Sequence, residues 1–227
     1  MKKIDIIYED DWLIAADKPK GVLSEESENG EESLPLLLAS HEKNGVKLMP
    51  VNRLDRNVSG VTLLAKTKKA AAFLCREVSG IGTYVKEYTA VVLGTLPEKN
   101  GEFHDLLFKD SAKNKTFVVS RMRKGVKEAS LSYRVMREGF YGDIPVSLVK
   151  IRLQTGRTHQ IRVQFGSRKH PILGDGKYGD RQSGYDGMAL VSSFISFLHP
   201  NGKRMELSVN LPSDFPLSDN GTENEKG

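Results

Sequence analysis

Eight segments of this chain alternate apolar and polar residues in the manner of half-buried strands, and the turns between them are often too short to hold a crossover helix. The segments lie at 4–8, 12–16, 61–66, 86–94, 128–137, 146–153, 188–198 and 205–209. Parallel neighbours need a connection of a dozen or more residues, whereas antiparallel neighbours close with a tight turn. Helical spacing of apolar residues is confined to 33–43, 68–78 and a short stretch at 158–165. An α+β fold is therefore expected, with a mixed, largely antiparallel central sheet and flanking helices.

The 227 residues suffice for a real core, and the apolar share of 38% with 28% charged residues is that of a folded chain. The expected organisation is one domain over 1–216 and a disordered polar tail over 217–227. The acidic stretch 24–33 reads as an exposed loop. No apolar run reaches membrane-spanning length, and the N-terminus turns acidic where a signal peptide needs apolar residues. A single cysteine, Cys75, cannot form an internal disulfide. A reducing, cytoplasmic location follows as the expectation. Nothing in the sequence demands more than a monomer.

The net charge of +5 conceals an uneven distribution. Residues 25–32 carry five acids and no base, while 115–169 hold thirteen Lys or Arg against only Glu128, Glu138 and Asp143. Such a stretch is either a solvated basic face or a surface for a polyanion, whose counterions are released on binding.

Three stretches carry groups suited to chemistry. In Val51-Asn52-Arg53-Leu54-Asp55-Arg56-Asn57-Val58-Ser59-Gly60, Asp55 lies between two arginines that favour its ionised form. A carboxylate so held serves as nucleophile or base, or is simply one half of a structural ion pair. In Leu153-Gln154-Thr155-Gly156-Arg157-Thr158-His159-Gln160-Ile161-Arg162, Gly156 supplies a turn and Thr158 starts a helix. Arg157 would then sit at the positive helix end and call for an anion, a phosphate or a carboxylate such as Asp55, unless it extends into solvent. His159 reads as a hydrogen-bonded structural histidine. Tyr88, in Lys86-Glu87-Tyr88-Thr89, falls inside a strand pattern and by itself suggests core packing.

Two apparent signals point nowhere. Gly174-Asp175-Gly176-Lys177-Tyr178-Gly179 fits G-x-G-x-x-G, but the polar, glycine-broken run after it is no amphipathic helix, so no nucleotide cofactor is expected. The five histidines show no ligand spacing and cysteine pairs are lacking, so no metal is expected either.

Taken together, the stretches resemble the RluA-type family of RNA pseudouridine synthases. Arg53-Leu54-Asp55-Arg56 with Ser59-Gly60 resembles the family's catalytic loop, and Lys86-x-Tyr88 with Gly94 its second motif. Thr155-Gly156-Arg157-Thr158-His159-Gln160-Ile161-Arg162, followed by Ile172-Leu173-Gly174-Asp175 and Tyr178-Gly179, resembles its third. Tyr8-Glu9-Asp10 leading to Lys18-Pro19-x-Gly21, and Leu190 ahead of His199-Pro200, agree as well, so the likeness runs from about residue 4 to 216. Asn52, Val58, Gln164 and Val191 depart from residues common in the family, and the expectation is a member without the S4-type RNA-binding extension.

The resemblance implies a catalytic cleft across the sheet and the isomerisation of uridine to pseudouridine in ribosomal or transfer RNA, with no cofactor. It implies Asp55, Tyr88 and Arg157 as catalytic residues and Arg53, Arg56, Lys86, Arg162 and Leu190 as RNA-binding ones. Asp55 would attack C1′ or remove the 2′ proton. A non-catalytic RNA chaperone on the same fold is the alternative. A glycoside hydrolase would need a second acid, and none stands out as a partner for Asp55.

Overall fold

The computed structural model describes residues 3–42, 45, 47–79, 84–180 and 183–217. In chain order, β1 (Asp5–Glu9) and β2 (Leu13–Lys18) precede α1 (Leu34–Leu37), β3 (Met49–Pro50), β4 (Ser59–Ala65) and α2 (Lys68–Ser79). Then come β5 (Val85–Leu93), β6 (Asn100–Asp110), β7 (Lys115–Val119), β8 (Val126–Tyr141) and β9 (Ile144–Leu153). Finally α3 (Gln160–Ser167) leads to β10 (Leu190–Leu198) and β11 (Arg204–Ser208). The chain divides into two compact units, Met1–Lys86 with Val191–Asn210 and Glu87–Leu190 with Leu211–Gly227. Two of the three boundaries fall inside β5 and at the start of β10, where no linker composition marks them, and the third follows β11 at Asn210. Residues 218–227, most of the expected tail, lie outside the described residues.

In the first unit β2 pairs antiparallel with both β1 and β4, β11 pairs antiparallel with β10, and β4 runs parallel to β10. Every residue of β4 is buried, because both faces of the β2–β4 pair are covered. Leu13, Ala15, Leu63 and Ala65 pack against Ala70 and Leu74 of α2. Ile14, Ala16 and Leu64 meet Leu34, Leu38 and Leu48 on the other side. The alternation expected over 61–66 thus gives way to a strand buried on both faces and largely apolar. Gly60 has φ +117° and lies so close to β10 that a Cβ would collide with the Ser192 backbone, so this crossing tolerates only glycine.

The β1–β2 turn is tied to the end of β10 by the outer residues of the sequence pattern. Asp10 accepts from the backbone N–H of Trp12 at 2.7 Å and of Leu13 at 3.0 Å, and from the Tyr8 hydroxyl at 3.0 Å. The fully buried His199 brings Nε2 within 3.0 Å of the same carboxylate without making a hydrogen bond to it, and its Coulombic influence favours the Asp10 charge. Burial works against the Asp10 charge, but these donors outweigh it and its pKa is lowered. A carboxyl with a depressed folded pKa stabilises the fold above its unfolded pKa and stops doing so as pH falls through the folded value. Asp10→Asn should therefore lower the urea midpoint at pH 7, and the gap to the parent should close as the titration is repeated towards pH 3. A gap that stays constant with pH would show that the charge is not what matters.

The second unit is a meander-like antiparallel sheet in the order β5-β9-β8-β6-β7. A two-residue turn, Gly142-Asp143, joins β8 to β9, with Gly142 at φ +58°. Helix α3 covers one face, where Phe103, Tyr133 and Phe165 form a ring cluster with centroids 5.0–5.7 Å apart. The fold is thus α+β with mixed, mostly antiparallel strands, as the alternation implied. Among the described residues no helix is long and apolar enough to cross a membrane.

Several elements differ from expectation. Strands β6 and β7 were not anticipated, because Leu106-Leu107-Phe108 and Phe117-Val118-Val119 are consecutive apolar residues without alternation. The helix expected over 33–43 is broken at Leu38 into one α-helical turn with Pro35 at its start and a 3-10 turn at Ala39–His41, and residue 43 lies outside the described residues. Helix α3 starts at Gln160 instead of Thr158, since His159 adopts a left-handed conformation with φ 54°.

Candidate active site

Of the residues singled out in the sequence, Asp55, Arg53, Arg56 and Lys86 belong to the first unit and Tyr88, Arg157, Arg162 and Leu190 to the second.

Asp55 is half-buried on the loop between β3 and β4, and the residues on either side of it are held by their backbones. The Ser24 hydroxyl donates to the Leu54 carbonyl and accepts from the Leu54 N–H, both at 2.9 Å. The Arg56 carbonyl accepts from the Gly21 N–H at 2.8 Å and from Lys18 Nζ at 3.2 Å. Lys18 is fully buried, and its ammonium also donates to the carbonyls of Pro19 and Val22 at 3.0 and 2.8 Å. A buried cation is tolerable only when its donors are satisfied in this way. The Val58 N–H donates to the Asp55 carbonyl at 3.0 Å and closes the turn. Asn52 anchors the loop's start to β4, with Nδ2 donating to the Val61 carbonyl and Oδ1 accepting from the Leu63 N–H at 2.7 Å. The departure at Asn52 therefore leaves the loop braced, and Val58, 3% exposed, is simply packed.

The two flanking arginines engage other carboxylates. Arg53 pairs with Glu25 and Arg56 with Glu31, each at 2.7 Å, and Arg56 Nε also donates to the Gly21 carbonyl. Lys86 holds its ammonium 5.3 Å from the Tyr84 ring centroid, within cation–π range.

In the second unit Tyr88 is buried in β5, in register with Ile151 of β9. Arg157 sits on the loop from β9 to α3, where a knot of hydrogen bonds centres on the buried Gln160. Its Oε1 accepts from the Arg157 N–H at 3.0 Å and from the Thr155 hydroxyl at 2.8 Å, while Nε2 donates to the Ser130 carbonyl at 3.0 Å. The Arg157 guanidinium is aimed by one donation, from Nε to the Glu128 carbonyl at 2.9 Å. His159 joins a structural chain: its Nδ1 is 2.9 Å from the Tyr178 hydroxyl, which accepts from the Thr116 N–H.

Arg162 points at a carboxylate of its own unit. It makes a bidentate pair with Asp175, at 2.7 and 2.9 Å, and lies 5.1 Å over the Tyr178 ring. The Gly174–Gly179 run is thus a turn that carries the partner of Arg162, and among the described residues no helix follows it before β10. Gln164, another departure, is buried with Nε2 on Asp105 at 2.7 Å. Leu190 is buried at the start of β10. The basic stretch 115–169 is not one face. Arg157, Arg162 and Arg168 are engaged inside the unit, whereas Arg121, Arg123, Lys124 and Lys127 are exposed on the β7–β8 loop and the start of β8.

The profile of RNA pseudouridylate synthases matches residues 12–167, more than half of the chain. The chain belongs to this family. Its relatives place it in the RluA-type branch. It is 30% identical over 231 residues to the ribosomal large subunit pseudouridine synthase D of Yersinia pestis, covering 93% of this chain and 68% of that protein. It is 32% identical over 202 residues to the uncharacterized RNA pseudouridine synthase YhcT of Bacillus subtilis, covering 87% of this chain and 65% of the relative. The chain therefore spans about two thirds of the length of these synthases. A solved human structure, RNA pseudouridylate synthase domain containing 1, shares the fold with a TM-score of 0.76 at 22% identity, over 92% of this chain and 84% of that one.

Ser24 and Gln160 are the positioning residues of these loops that sequence reasoning did not assign. Gln160 stood inside a quoted motif. Ser24 carried no signal, because a side chain that binds a distant backbone leaves no mark in spacing.

Proposed function

We propose that this protein isomerises specific uridines to pseudouridine in structured RNA, with the Asp55 carboxylate acting on the ribose. The observation that carries the reading is the placement of Asp55, half-buried on a turn whose neighbours Leu54 and Arg56 are fixed by Ser24, Gly21 and Lys18. A reacting group needs such preorganisation, since a misplacement of about 1 Å costs about 100-fold in rate.

In the reaction the N1–C1′ bond breaks, the uracil turns over, C5 joins C1′, and the C5 proton is lost as N1 gains one. The product is an isomer, and the balance calls for no oxidant and no phosphate donor. The nucleotide must leave its stack to be reached, at a cost of a few kcal/mol, roughly 2–4. Exposed Arg121, Arg123, Lys124 and Lys127 offset that cost through phosphate contacts. Arg53 fills the vacated space and Arg56 and Lys86 support the RNA, while Arg162, paired with the buried Asp175, serves that binding by holding α3 and the loop before it. Asp55 attacks C1′ or takes the 2′ proton. Arg157 supplies the compensating cation, Tyr88 lines the uracil and accepts the C5 proton, and Leu190 packs on the base. The motif likeness supports these roles. Four relatives are named ribosomal large subunit pseudouridine synthases, which favours ribosomal RNA as substrate and, with it, action in the cytoplasm.

Pseudouridine mapping across total RNA from cells with and without this protein is the test. At least one ribosomal or transfer RNA site is expected to vanish on deletion and to return with the intact gene. An unchanged map would sink the proposal.

A further inference from the structure

We infer that the acidic segment 24–32 is a built-in competitor for the RNA backbone, holding Arg53 and Arg56 until a polyanion displaces it. The inference rests on the reading that RNA meets the protein at the Asp55 loop. The segment is an Ω-shaped excursion whose ends meet. The Leu23 N–H donates to the Glu32 carbonyl at 3.1 Å, the Leu34 N–H donates to the Leu23 carbonyl at 2.8 Å, and Val22 and Leu34 are fully buried beneath. Its base is therefore fixed, while Glu25, Glu26, Glu28, Asn29 and Gly30 are exposed.

Three carboxylates of this excursion reach bases of or beside the β3–β4 loop. Glu25 pairs with Arg53 and Glu31 with Arg56, each at 2.7 Å, and Glu26 pairs with Lys47 at 3.0 Å. The arginine side chains are 65% and 53% exposed, and exposed pairs add little to folding stability. Five acids within eight residues also repel one another. Fold stability is thus a poor account of the arrangement.

Competition is a better one. A carboxylate presents to a guanidinium the same charge and the same planar pair of acceptors as a phosphate. RNA that touches Arg53 or Arg56 must exchange with Glu25 or Glu31 and then lie beside the released acids. An RNA offering only backbone gains little by that exchange. One that also delivers a nucleotide to Asp55 gains enough to complete it. The excursion therefore weakens indiscriminate binding more than productive binding, and acts as a selectivity filter.

The test uses the full chain and a fluorescein-labelled RNA stem-loop with uridines in its loop, at low salt. E25Q/E31Q is expected to tighten binding by about fivefold, and the gain should fade as salt screens the charges. E28Q/E32Q removes the same number of charges from the same segment and should change binding by less than about twofold. In an R53Q/R56Q background the gain from E25Q/E31Q should disappear, because the competed groups are gone. Equal gains from the two double variants, or a gain that survives without the arginines, would overturn the inference. Tritium release from ribosomal RNA transcripts labelled at uridine C5 tests the underlying reading separately. A parent protein that never releases tritium sinks that reading, while the binding cycle still decides the competitor.

Discussion

Asp55→Asn is expected to abolish turnover while leaving the protein folded and able to bind RNA. The substitution changes one oxygen to an amide nitrogen and keeps the side chain's shape. The loop is held through the backbones of Leu54 and Arg56 and through Asn52, none of which the change touches. An amide is neither a competent nucleophile nor a base, so neither the attack on C1′ nor removal of the 2′ proton survives. Single-turnover tritium release should fall by at least about a thousandfold, or about 4 kcal/mol of transition-state stabilisation. Stability by urea titration should stay within about 1 kcal/mol, since Asp55 is not in the core. RNA affinity, set by phosphate contacts, should change only a few-fold. Tritium release by the variant at the parent's rate would remove Asp55 from the chemistry.

The sequence made the Asp55 loop legible and left its bracing unread, for a physical reason. Arg53-Leu54-Asp55-Arg56 is a pattern of side chains, and a pattern of side chains can be recognised. The clamp on Leu54 and Arg56 consists of bonds to main-chain groups, which every residue possesses, so Ser24 had no signature. Lys18 and Gly21 were visible as part of a motif, and the structure adds what they do. The same division holds for the fold. Strands with one solvated face, such as β8, could be read from alternation. Strands β6 and β7 broke the alternation and were lost. The acidic stretch was read as exposed, and its tip is, yet its bonds to Arg53 and Arg56 join residues 28 and 25 positions apart, beyond the reach of local pattern. The arginines that flank Asp55 in sequence also hold Glu25 and Glu31, a second engagement that proximity in sequence did not reveal.

Asp175→Ala is the substitution expected to cost the fold most. The Asp175 side chain is 1% exposed and that of Arg162 11%, so the pair sits where water cannot compensate a lone charge. Asp175 also accepts from the Lys177 N–H at 3.1 Å and so shapes its own turn. Truncation leaves a guanidinium pinned over Tyr178 without its counter-charge, and breaking a buried pair in this way costs about 3–5 kcal/mol. Helix α3 should loosen first, read as faster amide exchange at Gln160–Ser167 and a lower urea midpoint. The comparison variant is D175L/R162M, which removes both charges and should recover most of the loss, because apolar residues of similar volume can replace a buried pair. The two variants separate the roles open to Arg162. If its main work were to bind phosphate, Asp175→Ala would cost less than about 1 kcal/mol and D175L/R162M would lose RNA affinity without regaining stability. A large loss that the double variant repairs means that this arginine holds α3, and with it the adjoining loop that carries Arg157, in place.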